Sequence, residues 1–286
     1  MPVSHCMDAA RLDTLRTASR RVWRSNSAGG KSSAKRYSDV GFSGRCLSRS
    51  LAASHTSPNP SRKQCAEWLH ETCIRGLQAI HVQREVHGTP PTHGMIVSNH
   101  LSYLDILCYS AAVPCVFVSK ADVEQWPIFG KYARWSGSVF VRRHDRSDAA
   151  RANVNVSESL SDGVPVVLFP EGMTTDGHRV LRFHSTMLQP AIDVGALVTP
   201  CAIRYELGDG DPGREVSWWG DMNLLPHFWN LAGKKSIRAQ IVFGDPVIAT
   251  GDRKRLSHTL HDQVTGLYRS ESAIEPVASA SDQQIR

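Results

Sequence analysis

The sequence predicts an α/β domain, and three observations carry that expectation. Short apolar runs alternate with stretches of helical composition along the middle of the chain. One run, Val164–Phe169, is nearly continuous in apolar residues, the pattern of a strand buried on both faces. Turn-forming segments such as Gly88–Pro91 and Gly244-Asp245-Pro246 punctuate the series.

The elements follow in order. Cys65, Leu69, Cys73, Leu77 and Ile80 form one apolar line, with Glu67, His70, Glu71 and Arg75 off it, which predicts an amphipathic helix over Gln64–Ile80. Met95–Val97 is strand-like and leads through Ser98-Asn99-His100 into a helical stretch from Ser102. Val116–Val118 and Val139–Val141 read as strands, Ala149–Leu160 as a helix and Val164–Phe169 as the most apolar strand. Ser185–Val194 reads as a helix, and Leu197–Arg204 and Ile237–Phe243 as strands. This alternation specifies a sheet covered by helices.

The folded domain is expected over 64–269, with a polar tail at 270–286 and a basic leader at 1–63. The leader holds 12 Lys/Arg against 3 Asp/Glu, whereas the rest of the chain holds 21 against 24. It is rich in Ser and Arg without sustained apolar periodicity through Ser25–Arg62, so it is expected to be disordered. Its composition also suits an organellar transit peptide, a reading ranked below a solvated tail. Nucleic-acid binding through the leader has no motif or aromatic support. The most apolar stretch, Leu104–Val118, contains Asp105 and Pro114, which argues against a membrane-spanning helix. The seven cysteines form no Cys-x-x-Cys pair, so neither a disulfide framework nor a zinc site is expected.

Chemistry concentrates in four segments. His100 and Asp105 are five residues apart, a spacing that within a continuous helix separates side chains by about 140°. They meet only if His100 lies in the turn before the helix. A carboxylate there fixes the imidazole tautomer and equips the ring as a general base. Ser102 between them reads as a helix cap rather than a nucleophile. Phe169-Pro170-Glu171-Gly172 follows the most apolar strand, where open α/β sheets bind ligands. Glu171 there is a candidate to accept hydrogen bonds from a polar substrate, and the Gly172 region to present backbone N–H groups to an oxyanion. Gly137 to His144 ends in paired guanidinium groups, Arg142 and Arg143, whose forked donors match phosphate. Val198–Ile203, with Pro200, reads equally well as a core strand.

Together and in this order, the four segments resemble the glycerolipid acyltransferase family that includes 1-acylglycerol-3-phosphate acyltransferases. The resemblance spans roughly Trp68 to Val247. His100 and Asp105 match its His-x4-Asp block; Gly137, Phe140 and Arg143 its Gly-x-x-Phe-[Ile/Val]-x-Arg block; and Phe169 to Gly172 its Phe-Pro-Glu-Gly block. It implies a single mixed, largely parallel sheet flanked by helices. It also implies acyl transfer from acyl-CoA or acyl carrier protein to a lysolipid hydroxyl, with 1-acylglycerol-3-phosphate as first acceptor. His100 and Asp105 would supply the base without a covalent intermediate, Arg143, Glu171 and Gly172 would bind substrate, and neither metal nor cofactor would be required.

One departure bears on the acceptor. Where the family often continues Thr-Arg-Ser, this chain has Met173-Thr174-Thr175-Asp176-Gly177, without the cation. Similar continuations occur in members that acylate other lysolipids, including lyso-ornithine lipid. Trp218, Trp219, Leu224, Leu225, Phe228 and Trp229, followed by Lys234 and Lys235, suit either a headgroup-level membrane contact or a core helix. Peripheral association with the inner face of a membrane is expected. The rivals in other classes are a non-catalytic lipid- or acyl-CoA-binding module and a hydrolase; the absence of a Gly-x-Ser-x-Gly elbow disfavours the latter.

Overall fold

The computed structural model describes residues 59–125, 129–141 and 146–270. The expected leader, apart from 59–63, and the tail from 271 onward lie outside the described residues. Helix α1 spans Arg62–Ala79, beginning two residues before the expected boundary. Ser61 and Gln64 form a reciprocal capping box that fixes this start. The chain continues through β1 (Val82–His87), β2 (Met95–Ser98), α2 (Leu104–Ala112), β3 (Val116–Lys120), α3 (Phe129–Trp135), β4 (Val139–Val141), α4 (Arg146–Ser161) and β5 (Val166–Leu168). After a long loop come a 3-10 turn (Ser185–Leu188), α5 (Gln189–Asp193), β6 (Leu197–Leu207), α6 (Pro212–Glu215) and α7 (Leu224–Ala232). Strands β7 (Ile237–Phe243) and β8 (Val247–Ile248) and helix α8 (Arg253–Arg269) complete it.

The strands form one mixed, mostly parallel sheet in the order β1-β7-β6-β2-β5-β3-β4, with β8 pairing β6. Only the β6–β7 and β6–β8 pairings are antiparallel. Alternation along the central strands divides the core. Ile96 and Val167 face one layer with Leu69, Leu77, Leu104 and Leu231, from α1, α2 and α7. Met95, Val97, Val166 and Leu168 face the other with Val156, Leu160, Leu260 and Val264, from α4 and α8. Because both faces are covered, Met95–Val97 and Val166–Leu168 are apolar throughout.

Strand β1 and helix α8 were not foreseen. The β1 sequence Val-Gln-Arg-Glu-Val-His is polar at four of six positions because it is an edge strand, paired with β7 alone among the described residues. Helix α8 carries a legible signal: Leu256, Leu260 and Val264 recur every four residues and are buried, and Asp252 caps the start. The stretch expected as one helix over Ser185–Val194 is a 3-10 turn running into α5, with Pro190 in the first turn of that helix.

The parallel register positions the site. Met95 to Val97 of β2 pair with Val166 to Leu168 of β5, so the two chains leave the sheet side by side at their carboxyl ends. His100 and Glu171, far apart in sequence, therefore emerge into the same crevice.

Candidate active site

His100 lies in the loop between β2 and α2, before the first helical residue. Its Nδ1 is 2.7 Å from Asp105 Oδ2. Asp105 is completely buried and accepts three further hydrogen bonds. The backbone N–H groups of Leu101 and Ser102 donate to Oδ2 at 2.6 and 3.1 Å, and the Tyr205 hydroxyl donates to Oδ1 at 2.6 Å. A carboxylate with this donor set is acceptor-only, so Nδ1 carries the proton in the neutral imidazole and Nε2 holds the lone pair. Phe169 stacks on the imidazole, with centroids 4.0 Å apart and planes 9° from parallel.

The His100 backbone is held from both sides by the Phe-Pro-Glu-Gly loop. Its N–H donates to Glu171 Oε1 at 2.8 Å, and its carbonyl accepts from Thr175 N at 3.0 Å. Glu171 Oε2 accepts from Leu181 N at 2.8 Å, closing the far end of the same loop. Glu171 is only 3% exposed, and both its oxygens engage backbone donors. The sequence suggested a substrate acceptor here; the fold uses the carboxylate as a tie. Burial pushes its carboxyl up to about 7, against the Leu181 and His100 N–H groups, which favour the charged form. Gly172, at φ 77°, makes the turn after Glu171, and its N–H donates to the Phe169 carbonyl at 3.1 Å. That N–H, a candidate oxyanion donor in the sequence, is engaged in the turn.

Other expectations divide similarly. Ser102 does not cap α2 through its hydroxyl, which is buried without a hydrogen-bond partner; Asp105 reaches back to the loop N–H groups instead. Asn99 bridges sheet and loop, exchanging two hydrogen bonds of 2.9 Å with the backbone of Ile203 in β6. Arg142 and Arg143 lie outside the described residues. Tyr205 was missed because its partner lies 100 positions away. Burial first, and then the Asp105 carboxylate, push its phenol well above the usual tyrosine range, keeping it the donor.

The α7 segment borders this loop. Trp218 N donates to Leu101 O at 2.9 Å, and the Tyr103 hydroxyl lies 3.0 Å from His227 Nδ1. His227 Nε2 lies 3.0 Å from Ser217 O. Burial lowers the His227 pKa, which suits a neutral ring that accepts from Tyr103 and donates to Ser217.

An acidic residue fixing an imidazole beside the carboxyl ends of parallel strands is an arrangement suited to acid–base chemistry on a bound substrate. Comparison with known proteins gives this class its family. A family model described as Acyltransferase matches residues 66–204. The lyso-ornithine lipid O-acyltransferase of Rhizobium meliloti is 31% identical over 78% of this chain and 83% of its own. The 1-acyl-sn-glycerol-3-phosphate acyltransferase of Neisseria meningitidis serogroup B is 31% identical over 69% of this chain and 79% of its own. The crystal structure of the 1-acyl-sn-glycerophosphate acyltransferase of Thermotoga maritima has the same fold, with a TM-score of 0.53 over 79% of this chain and 90% of that one at 22% identity. The chain belongs to the acyltransferase family and is an O-acyltransferase.

Two outcomes follow from the geometry. Tyr205→Phe leaves a buried carboxylate oxygen without its donor, and denaturant titration should show a loss of about 1–3 kcal/mol. Its kcat should fall about tenfold with both Michaelis constants unchanged, because the His100 imidazole is loosened while the rest of the surface stays. Glu171 holds its proton more tightly in the folded chain than in the unfolded one, where its pKa is 4.5. Its contribution to stability is therefore full below pH 4.5 and is lost as pH rises through about 7. The stability difference between wild type and Glu171→Gln, measured by denaturation across that range, should shift against wild type as pH rises.

Proposed function

We propose that the chain transfers a fatty acyl group from acyl-CoA or acyl carrier protein to the free hydroxyl of a lysolipid. The observation that carries this reading is the His100–Asp105 pair, in which Nδ1 is held by the carboxylate and Nε2 has no hydrogen-bond partner among the described residues. In the proposed reaction Nε2 takes the proton from the lysolipid hydroxyl as its oxygen attacks the thioester carbonyl. The tetrahedral intermediate collapses to the new ester, and the departing thiolate recovers the proton from the imidazolium. Asp105 stabilises that imidazolium and stays ionised.

Two acceptors fit the relatives' names: 1-acylglycerol-3-phosphate and lyso-ornithine lipid. The loop after Glu171 favours the latter. Residues 173–177 contain no Lys or Arg. Thr175 and Asp176 instead order the loop, accepting from Gly177 N and His178 N at 3.3 and 3.0 Å. A phosphate finds no cation on that stretch, whereas the ornithine head group brings its own.

We read the α7 face as the seat on the lipid surface. No helix among the described residues is long and apolar enough to cross a membrane. The sequence cluster splits in the fold: Trp218, Leu224 and Phe228 pack against the core, while Leu225 and Trp229, four residues apart, are 67% and 62% exposed. The segment that leads into α7 is tied to the His100 loop by the Trp218–Leu101 hydrogen bond.

The test is acyl transfer from labelled acyl-CoA and acyl carrier protein into a panel of lysolipids. His100→Ala should lower turnover by about two to four orders of magnitude with the fold intact; near-normal turnover overturns the mechanism. Transfer confined to 1-acylglycerol-3-phosphate would reverse the acceptor order. In co-sedimentation with phosphatidylglycerol–phosphatidylethanolamine vesicles, Leu225→Ser/Trp229→Ser should shift protein to the supernatant, and an unchanged bound fraction removes α7 from the interface.

A further inference from the structure

Beside the Phe-Pro-Glu-Gly loop, a cavity of about 290 Å³ lies between residues 182–185 and the first turns of α8. Its polar lining is Arg182, Ser185, Lys254, Ser257, His258 and His261. The α8 residues 254, 257, 258 and 261 fall at i, i+3, i+4 and i+7, one face of the helix. Arg182 and Lys254 form no ion pair among the described residues, and no carboxylate lines the cavity. Asp262, beside His261, lies outside the lining, and Asp252 is turned to the helix start, accepting from Lys254 N and Arg255 N. The helix-end N–H groups are thus already satisfied, and the recognition chemistry belongs to the side chains.

The cavity walls are held in place. Ser257 Oγ donates to Phe183 O at 3.2 Å, Phe183 packs edge-on against His261, and His184 N donates to Pro170 O at 2.9 Å. Arg182 directly follows Leu181, whose N–H is bound by the same carboxylate that holds the His100 N–H. One side chain therefore connects the cavity wall to the dyad. Arg182 and Lys254, unpaired among the described residues, share the cavity lining with Ser185, His258 and His261; Asp262 lies 3.5 Å from His261 Nδ1 and the Ser257 hydroxyl is spent on Phe183 O, so the two cations carry the fit to a phosphate.

We propose that this cavity binds a phosphate of the acyl donor, an inference that rests on the acyl-transfer reading above. Acyl-CoA and acyl carrier protein share one such group, the phosphate of the phosphopantetheine arm that bears the thioester. The lyso-ornithine acceptor has none, so the anion common to every reading of the reaction is the donor's. Arg182 and Lys254 supply the permanent charge, and Ser185 and His258 add donors.

The experiment uses the full chain with Arg182→Gln/Lys254→Gln. The apparent Michaelis constant for acyl-CoA should rise about 10- to 100-fold, as expected for two lost charge-assisted contacts. The kcat and the acceptor constant should stay within about twofold. S-acyl-pantetheine, which carries the thioester but no phosphate, should react equally with both proteins. An equal loss with acyl carrier protein assigns the shared phosphopantetheine phosphate, and a loss with acyl-CoA alone assigns a nucleotide phosphate of CoA. An unchanged donor constant, an equal loss with S-acyl-pantetheine, or a rise confined to 1-acylglycerol-3-phosphate overturns the proposal. Calorimetric titration with CoA separates this from the reaction itself. Binding weakened by the variant in a protein that transfers no acyl group would retain the site and reject the transferase reading; transfer with CoA binding indifferent to the variant would do the reverse.

Discussion

The site depends on burying one negative charge. Asp105 is removed from water, and an ionised carboxylate in that position is tolerable only when its lone pairs are met by donors. Four donors meet it, from His100, from the backbone of Leu101 and Ser102, and from Tyr205 on β6. Satisfying the carboxylate therefore folds the loop, orients the imidazole and docks both on the sheet in one step. The geometry that suits the ring for base chemistry is the geometry that makes the buried charge affordable.

Strand lengths make this possible. Strand β2 ends at Ser98, whereas β6 runs on to Leu207. Beyond Ser98, which pairs with Cys201, β6 continues beside a chain that has left the ladder. Asn99 takes the place of the missing strand by bonding both backbone groups of Ile203. Two residues further along, Tyr205 points its hydroxyl at Asp105. On its other edge Cys201–Leu207 of β6 pair with antiparallel β7, so this part of the strand stays paired next to the loop.

A second carboxylate organises the opposite wall. Glu171 joins His100 N to Leu181 N, and Thr175 N returns to His100 O, so the loop from 170 to 184 is anchored at both ends and at its middle. Tyr268 of α8 adds a 2.6 Å hydrogen bond to Gly177 O. These contacts give a segment without regular structure the order that a reacting site requires.

Much of this was legible in the sequence, because local patterns specify local structure. The apolar runs gave the central strands, the amphipathic line gave α1, and the His-x4-Asp spacing required His100 to lie in the turn before the helix if it was to meet Asp105. What the sequence left open depended on partners remote along the chain. Tyr205 carries no local mark of its role, since the β6 register alone brings it to Asp105. Glu171 reads as a candidate acceptor for a polar substrate until the parallel β2–β5 register sets His100 N–H against it. Ser102 reads as a cap by composition, yet the Asp105 carboxylate accepts from the loop N–H groups instead. The residue types and their spacing thus set the local pairing of His100 with Asp105. That Tyr205 completes the shell of Asp105 and that Glu171 ties the loop was decided by the pairing of strands, because hydrogen bonding to a buried carboxyl is fixed only when distant backbone is brought within about 3 Å.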